Sequence, residues 1–197
     1  MTSSSEVVAH VDGGSRGNPG PAAYGVVMET PAGERITAFA KFLGETTNNF
    51  AEYQGLLAAL DYALDHHHLH LSVLTDSELV ARQITGRYKV RSSDLKRLHD
   101  KAQAMIARLK SFSIRHVPRE HNRAADRLAN QALDAAAEGL ALPSAPVPRA
   151  ASTRLANAAP GEALHTSATF QSGVLRPHER LPLLDGEQVE LEIRRKK

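Results

Sequence analysis

The 197-residue sequence contains no cysteine and no tryptophan, and only five Phe and four Tyr supply aromatic rings. Without thiols it has neither disulfides nor thiolate zinc sites, which fits a reducing cytoplasmic setting. No apolar run is long enough to cross a membrane, and Met1-Thr-Ser-Ser-Ser-Glu6 lacks a basic segment leading into an apolar one. A soluble chain without a signal peptide is therefore expected. Charge of one sign is also scarce overall, with a formal net charge of only +2. It is unevenly placed, however: twelve Lys or Arg lie between Arg82 and Arg123, against few carboxylates (Asp94, Asp100 and Glu120, with Glu78 just before). Such a surplus suits a polyanionic partner as well as a solvated helix face.

What is present begins with an apolar run, Val7 to Val11, that reads as a buried strand delivering Asp12 into Gly13-Gly-Ser-Arg-Gly-Asn-Pro-Gly20. Glycine there permits a tight turn and close approach of the backbone to a ligand. Ala22–Met28 and Arg35–Leu43 read as further strands joined by short turns, giving an antiparallel meander. Gly44–Asn49 supplies turn and cap residues ahead of a helix over Phe50–Leu64 that carries Glu52 near its start. His66-His-His-Leu-His70 falls at that helix's end and reads as solvated, since it lacks metal-ligand spacing. A strand over Leu71–Asp76 follows, with Ser77 capping a helix to Ile84. After the basic loop Gly86–Ser93 come a helix over Asp94–Leu109, a strand over Phe112–Val117 and an Ala-rich helix over Arg123–Ala137 bearing Asp126. This order implies a mixed sheet with helices packed on it.

Asp12, Glu52, Asp76 and Asp126 stand out. Clustered carboxylates raise one another's pKa unless divalent cations neutralise them, so such a set suits hard metals and two-ion phosphodiester hydrolysis.

The blocks Val11–Pro21, Thr46-Thr-Asn-Asn-Phe-Ala-Glu-Tyr-Gln54, Leu74-Thr-Asp-Ser-Glu-Leu-Val80 and His116–Asn130 resemble the four signature stretches of type 1 ribonuclease H, in the family's order and over residues 6–138. The resemblance is to the compact bacterial and archaeal branch. It implies an α/β fold with a five-stranded mixed sheet, helices on its faces, and hydrolysis of the RNA strand of RNA–DNA hybrids to 5′-phosphate and 3′-hydroxyl ends. It further implies Asp12, Glu52, Asp76 and Asp126 as ligands of two Mg²⁺ ions, or Mn²⁺ in their place. Glu52 would also accept from a ribose 2′-hydroxyl, which favours RNA over DNA. Gly13, Ser15, Arg16, Asn18, Asn48, Asn49, Gln54 and Ser77 fall at substrate-facing positions, with Thr47 at a DNA phosphate; turn and cap chemistry is the other reading of Asn18 and Asn48.

Two departures from the family stand beside this. The long Trp-rich basic handle is replaced by Gly86–Ser93, where Arg87, Tyr88, Lys89 and Arg91 form a reduced channel for the DNA strand, so double-stranded RNA is a further candidate partner. The loop that carries a mobile His in many members is short here, leaving His121 as the candidate for aiding product release. A catalytically idle duplex-binding module is the alternative from another class. Resolvase- or integrase-like nucleases lack the Asn-Asn-x-x-Glu block.

Residues 139–165 turn to Ala, Pro and Ser and read as a linker. Beyond it, 166–197 resembles small antitoxin-like β modules, with strands expected over Ala168–Pro177 and Gln188–Ile193. Self-association or a protein partner is the contribution expected of that segment.

Overall fold

The computed structural model describes residues 6–139, together with two short strands at 168–171 and 174–177. The chain divides into two compact units, 1–150 and 151–197. In the first, β1 (Glu6–Ser15), β2 (Gly20–Glu29) and β3 (Arg35–Thr46) form the antiparallel meander, followed by α1 (Asn48–Asp65), β4 (His70–Thr75), α2 (Glu78–Ile84), α3 (Ser93–Ile106), β5 (Ser111–His116) and α4 (Arg123–Ala137). The sheet order is β3-β2-β1-β4-β5, with β4 and β5 parallel to β1. It is the mixed five-stranded sheet that the sequence predicts.

Side-chain alternation sorts the two faces. Val7, Ala9 and Val11 of β1, with Val26 and Met28 of β2, pack into one core with α1 and with Val80, Ala81, Ala102 and Met105 of α2 and α3. Ala23 faces the other way and packs with Ala132 and Leu133 of α4. Helix α1 is apolar around much of its girth because it sits between the sheet and α3. Its Tyr53 is fully buried, and its hydroxyl donates to Gln83 Oε1 at 2.8 Å, so no polar group is stranded there.

Several bounds differ from expectation, and each difference has a physical reason. Strand β1 continues through Gly13 and Gly14 to Ser15, pairing Gly13 with Tyr24 and Gly14 with Ala23. Asp12 is therefore inside a strand on the β2 side, whereas the parallel pairing with β4 stops at Val11↔Thr75. Gly13 serves close approach instead of a turn, since a Cβ there would lie 2.3 Å from the Glu52 backbone nitrogen, and Gly25 of β2 does the same, with a Cβ 2.3 Å from the Ala125 carbonyl oxygen. Strand β3 likewise runs on to Thr46, and Thr47 caps α1 by accepting from the Phe50 N–H. The His run is partly buried instead of solvated, with His66 stacked on Tyr62 at 3.9 Å between ring centroids and His67 at φ 58°.

In the second unit, Ala168–Pro177 is a pair of strands instead of one. Residues β6 (Ala168–Gln171) and β7 (Val174–Pro177) pair antiparallel, with Phe170 opposite Leu175. The expected strand Gln188–Ile193, the 140–165 stretch of the linker and the rest of the antitoxin-like segment lie outside the described residues. Among the described residues, no helix is long and apolar enough to cross a membrane.

Gly25→Ala should destabilise the protein by about 2–4 kcal/mol, because the added methyl meets backbone atoms of α4 that no rotamer change can move. Gly14→Ala, whose Cβ meets nothing within 4 Å, should change stability by no more than about 0.5 kcal/mol. Urea denaturation of the two variants checks both values.

Candidate active site

The four carboxylates come from four elements that meet where the parallel pairing of the central strands β1 and β4 ends. Asp12 extends from β1 just where its pairing with β4 stops, and Asp76 follows the last residue of β4. Glu52 stands in the second turn of α1, which Gly13 lets approach β1 at backbone contact distance. Asp126 is in the first turn of α4, the helix that lies against Gly25. All four are half-buried.

Hydrogen bonds fix Glu52 and Asp76. Glu52 Oε1 accepts from Asn48 Nδ2 at 3.0 Å, and its other oxygen accepts from the Ser77 hydroxyl. Ser77 also caps α2 by accepting from the Val80 N–H. Asp76 accepts from Asn122 Nδ2 at 3.0 Å, and the same nitrogen donates to the Val11 carbonyl at 2.8 Å. Asn122 is 1% exposed, and its Oδ1 is a buried atom with no hydrogen-bond partner among the described residues. It ties β1, β4 and the start of α4 into one unit. Asp126 is held by Arg119 and by Asn130 Nδ2.

The electrostatics are those of uncompensated negative charge. Burial, then the neighbouring Asp76 and Asp126, push Asp12 up to about 8, with Arg119 opposing. Burial pushes Glu52 up to about 7, with Asp76 adding to the rise while the bonds from Ser77 and Asn48 oppose it. Among the described residues, no three carboxylate or imidazole groups stand in coordinating geometry around one point. The donor set is nonetheless all oxygen and short of positive charge, which fits a hard divalent cation.

The other sequence candidates divide. Thr47, Asn48 and Ser77 are built into helix starts beside Glu52, and Asn18 Oδ1 accepts from the Asn48 N–H at 3.2 Å. Asn18 and Asn48 thus perform turn and cap chemistry at the site's rim. The Ser15 hydroxyl donates to the Gly17 carbonyl, and Arg16 pairs with Asp134 away from the carboxylates. Asn49 is exposed and Gln54 half-buried. Arg87, Tyr88, Lys89 and Arg91 are exposed in the loop after α2, with the Arg82 guanidinium 4.9 Å from the centre of the Tyr88 ring. His121 is exposed on the turn Arg119–His121, and the hydrogen bond from that turn to Asp126 comes from Arg119.

Sequence reasoning missed Arg119 and Asn122. Their signal is position: both lie between a strand end and a helix start, within seven residues of Asp126.

Asp12 and Glu52 keep protons in the fold that they would release in the unfolded chain, where carboxyls titrate near ~4. The stability linked to these protons is complete below that value and is lost as pH rises through about 7 and about 8. Without metal, the urea midpoint should therefore fall between about pH 4 and pH 8 in the part of the profile these groups control. Asp12→Asn should flatten the decline and raise the midpoint at pH 8. A variant midpoint at or below that of the parent at pH 8 would contradict this account.

Comparison with known proteins agrees with this arrangement. A protein-family model described as Reverse transcriptase-like matches residues 10–132. The chain is 46% identical over 142 residues to a bifunctional protein of Mycobacterium tuberculosis, a match covering 72% of this chain and 39% of that protein. It thus spans well under half the length of that relative. It is 33% identical over 141 residues to a ribonuclease H of a Jannaschia species, covering 63% of this chain and 88% of that one. Among solved structures, the N-terminal RNase H domain of the mycobacterial protein, fused to maltose-binding protein, superposes with a TM-score of 0.66 at 46% identity, covering 68% of this chain and 98% of that one. LC11-RNase H1 in complex with an RNA/DNA hybrid gives 0.64 at 39% identity, covering 67% and 99%. With a family model over more than half of its length and a relative that it covers almost end to end, this chain belongs to the ribonuclease H family.

Proposed function

We propose that the protein is a metal-dependent endoribonuclease that hydrolyses the RNA strand of RNA–DNA hybrids, leaving 5′-phosphate and 3′-hydroxyl ends. The observation that carries this reading is the convergence of Asp12, Glu52, Asp76 and Asp126 where the parallel pairing of β1 and β4 ends, with burial and mutual repulsion pushing Asp12 up to about 8. A structural role alone does not require charge concentrated at such a cost, which weighs against an idle duplex-binding module. Relatives named ribonuclease H, and a structural neighbour in complex with an RNA/DNA hybrid, support the choice of substrate.

The four carboxylates would hold Mg²⁺, with Mn²⁺ able to substitute. When bound, the ions supply charge neutralisation and Lewis acidity at the scissile phosphate. The chain's own groups do the rest. Asn48 and Ser77 aim Glu52, whose remaining lone pairs can accept from a ribose 2′-hydroxyl and so select RNA. Asn122 holds Asp76 in register with the end of β1. Asn18, Asn49, Gln54 and the backbone at Gly13 line the minor-groove side, with Thr47 at a DNA phosphate and Arg87, Tyr88, Lys89 and Arg91 as a short DNA-strand channel. Ser15 and Arg16 complete the rim. His121, on the turn that carries Arg119, is assigned to product departure. A cytoplasmic location is assigned to it, in keeping with a nucleic-acid substrate and a chain without cysteine. Residues 166–197, with their antitoxin-like pattern, are assigned to self-association or partner docking.

Asp76→Asn should lower hybrid cleavage in Mg²⁺ by at least about a hundredfold, since an amide replaces an anionic ligand, while circular dichroism stays unchanged. The same assay with RNA–RNA and DNA–DNA duplexes, and with chelator, tests substrate class and metal need together. Near-parental cleavage by the folded variant would remove the metal assignment. Truncation after Leu140 should preserve cleavage of a short hybrid and lower the oligomer mass measured by light scattering. Equal masses would remove the role given to 166–197.

A further inference from the structure

A second basic feature lies beside the carboxylates, on the far side of β4. Helix α2 and the outer strand β5 enclose a cavity of about 360 Å³, floored by Ala81 and Ile114 and walled by Arg82, Arg87, Arg115 and His116, with Glu78 and Thr85 completing it. Among the described residues, β5 is an edge strand of the sheet and pairs with β4 alone. Its cations are not equivalent. Arg82 is spent within the wall, paired with Glu78 and laid over the Tyr88 ring. Arg87 and Arg115 are exposed, and neither makes an ion pair or a side-chain hydrogen bond among the described residues. Arg87 belongs to the DNA-strand channel proposed above, which leaves the Arg115 guanidinium, beside an apolar floor, to take a phosphate with its sugar against Ala81 and Ile114.

Register decides which strand reaches it. His116 pairs with Thr75, the residue before Asp76, and Glu78 is two residues after Asp76. One end of the groove therefore adjoins the carboxylates, and the other leads away along α2 towards Arg87. The strand whose phosphate lies at Asp76 is the one that can continue into it.

We propose that the α2–β5 groove binds the phosphate backbone of single-stranded RNA that continues from the cleaved strand beyond the end of the hybrid. This rests on the nuclease reading above. Because the groove lies to one side of the carboxylates, an RNA overhang of only one polarity should gain from it.

The test uses the full chain and labelled hybrids that are blunt, carry a 5′ or a 3′ RNA overhang, or carry a DNA-strand overhang. Binding is read by anisotropy in EDTA and cleavage by kcat and KM in Mg²⁺. One RNA overhang should tighten binding by roughly three- to tenfold and lower KM alike. Arg115→Gln should erase most of that gain and reduce the salt slope for that substrate by about 0.7, with kcat on the blunt hybrid unchanged. Arg115→Glu should erase it fully, and Arg115→Lys should retain most of it. Equal affinity for blunt and overhang hybrids, equal gain from both RNA polarities or from a DNA overhang, or equal loss on blunt and overhang substrates in Arg115→Gln would each overturn the proposal. Failure of the parent protein to cleave any hybrid would instead remove the nuclease reading on which it rests.

Discussion

Two helices press against the sheet at backbone distance, and the placement of the carboxylates depends on it. At Gly13 the backbone of α1 occupies the volume a side chain would need, and at Gly25 that of α4 does the same. Glu52 and Asp126 ride on those helices, one on each face of the sheet, while Asp12 lies on the strand between them. A helix held off by one methyl would carry its carboxylate away from Asp12 by more than hydrogen-bond tolerance. Core packing and the chemistry at the end of the β1–β4 pairing are thus set by the same contacts.

Charge there is balanced from several directions and by different kinds of group. Burial favours protons on Asp12 and Glu52, amides from Asn48 and Asn122 support Glu52 and Asp76, and Arg119 neutralises Asp126. Only the last of these brings a full positive charge. The Oδ1 of Asn122 belongs to the same compromise: both hydrogen bonds of its side chain go through nitrogen, and among the described residues its oxygen has no donor.

Much of the fold and the carboxylate set was legible in the sequence because it depends on local signals. The apolar run Val7–Val11, alternation in Phe112–Val117, Ala/Leu spacing in Phe50–Leu64 and the caps Thr47 and Ser77 each act within a few residues. The rest depends on partners distant in the chain. Gly13 carries the same sequence signal whether it turns the chain or admits a helix, and only the position of Ala51 and Glu52 decides. Asn122 looks like an ordinary cap residue, yet its side chain reaches Val11, 111 positions away. The stacking of His66 on Tyr62 and the pairing of Phe170 with Leu175 are local, four and five residues apart, but their side-chain patterns fit a solvated run and a single strand equally well.

The bonds that begin at Asn18 form a continuous relay. Asn18 accepts from the Asn48 backbone, the Asn48 side chain donates to one oxygen of Glu52, and the other oxygen receives the Ser77 hydroxyl that also caps α2. Three segments separated in sequence, the loop at Asn18, α1 and the start of α2, are thus joined around one carboxylate. A molecule that draws the Asn48 amide towards itself frees one oxygen of Glu52 in the same movement and leaves its grip on α2 intact. Contact at the rim and the carboxylate behind it thus share one hydrogen bond.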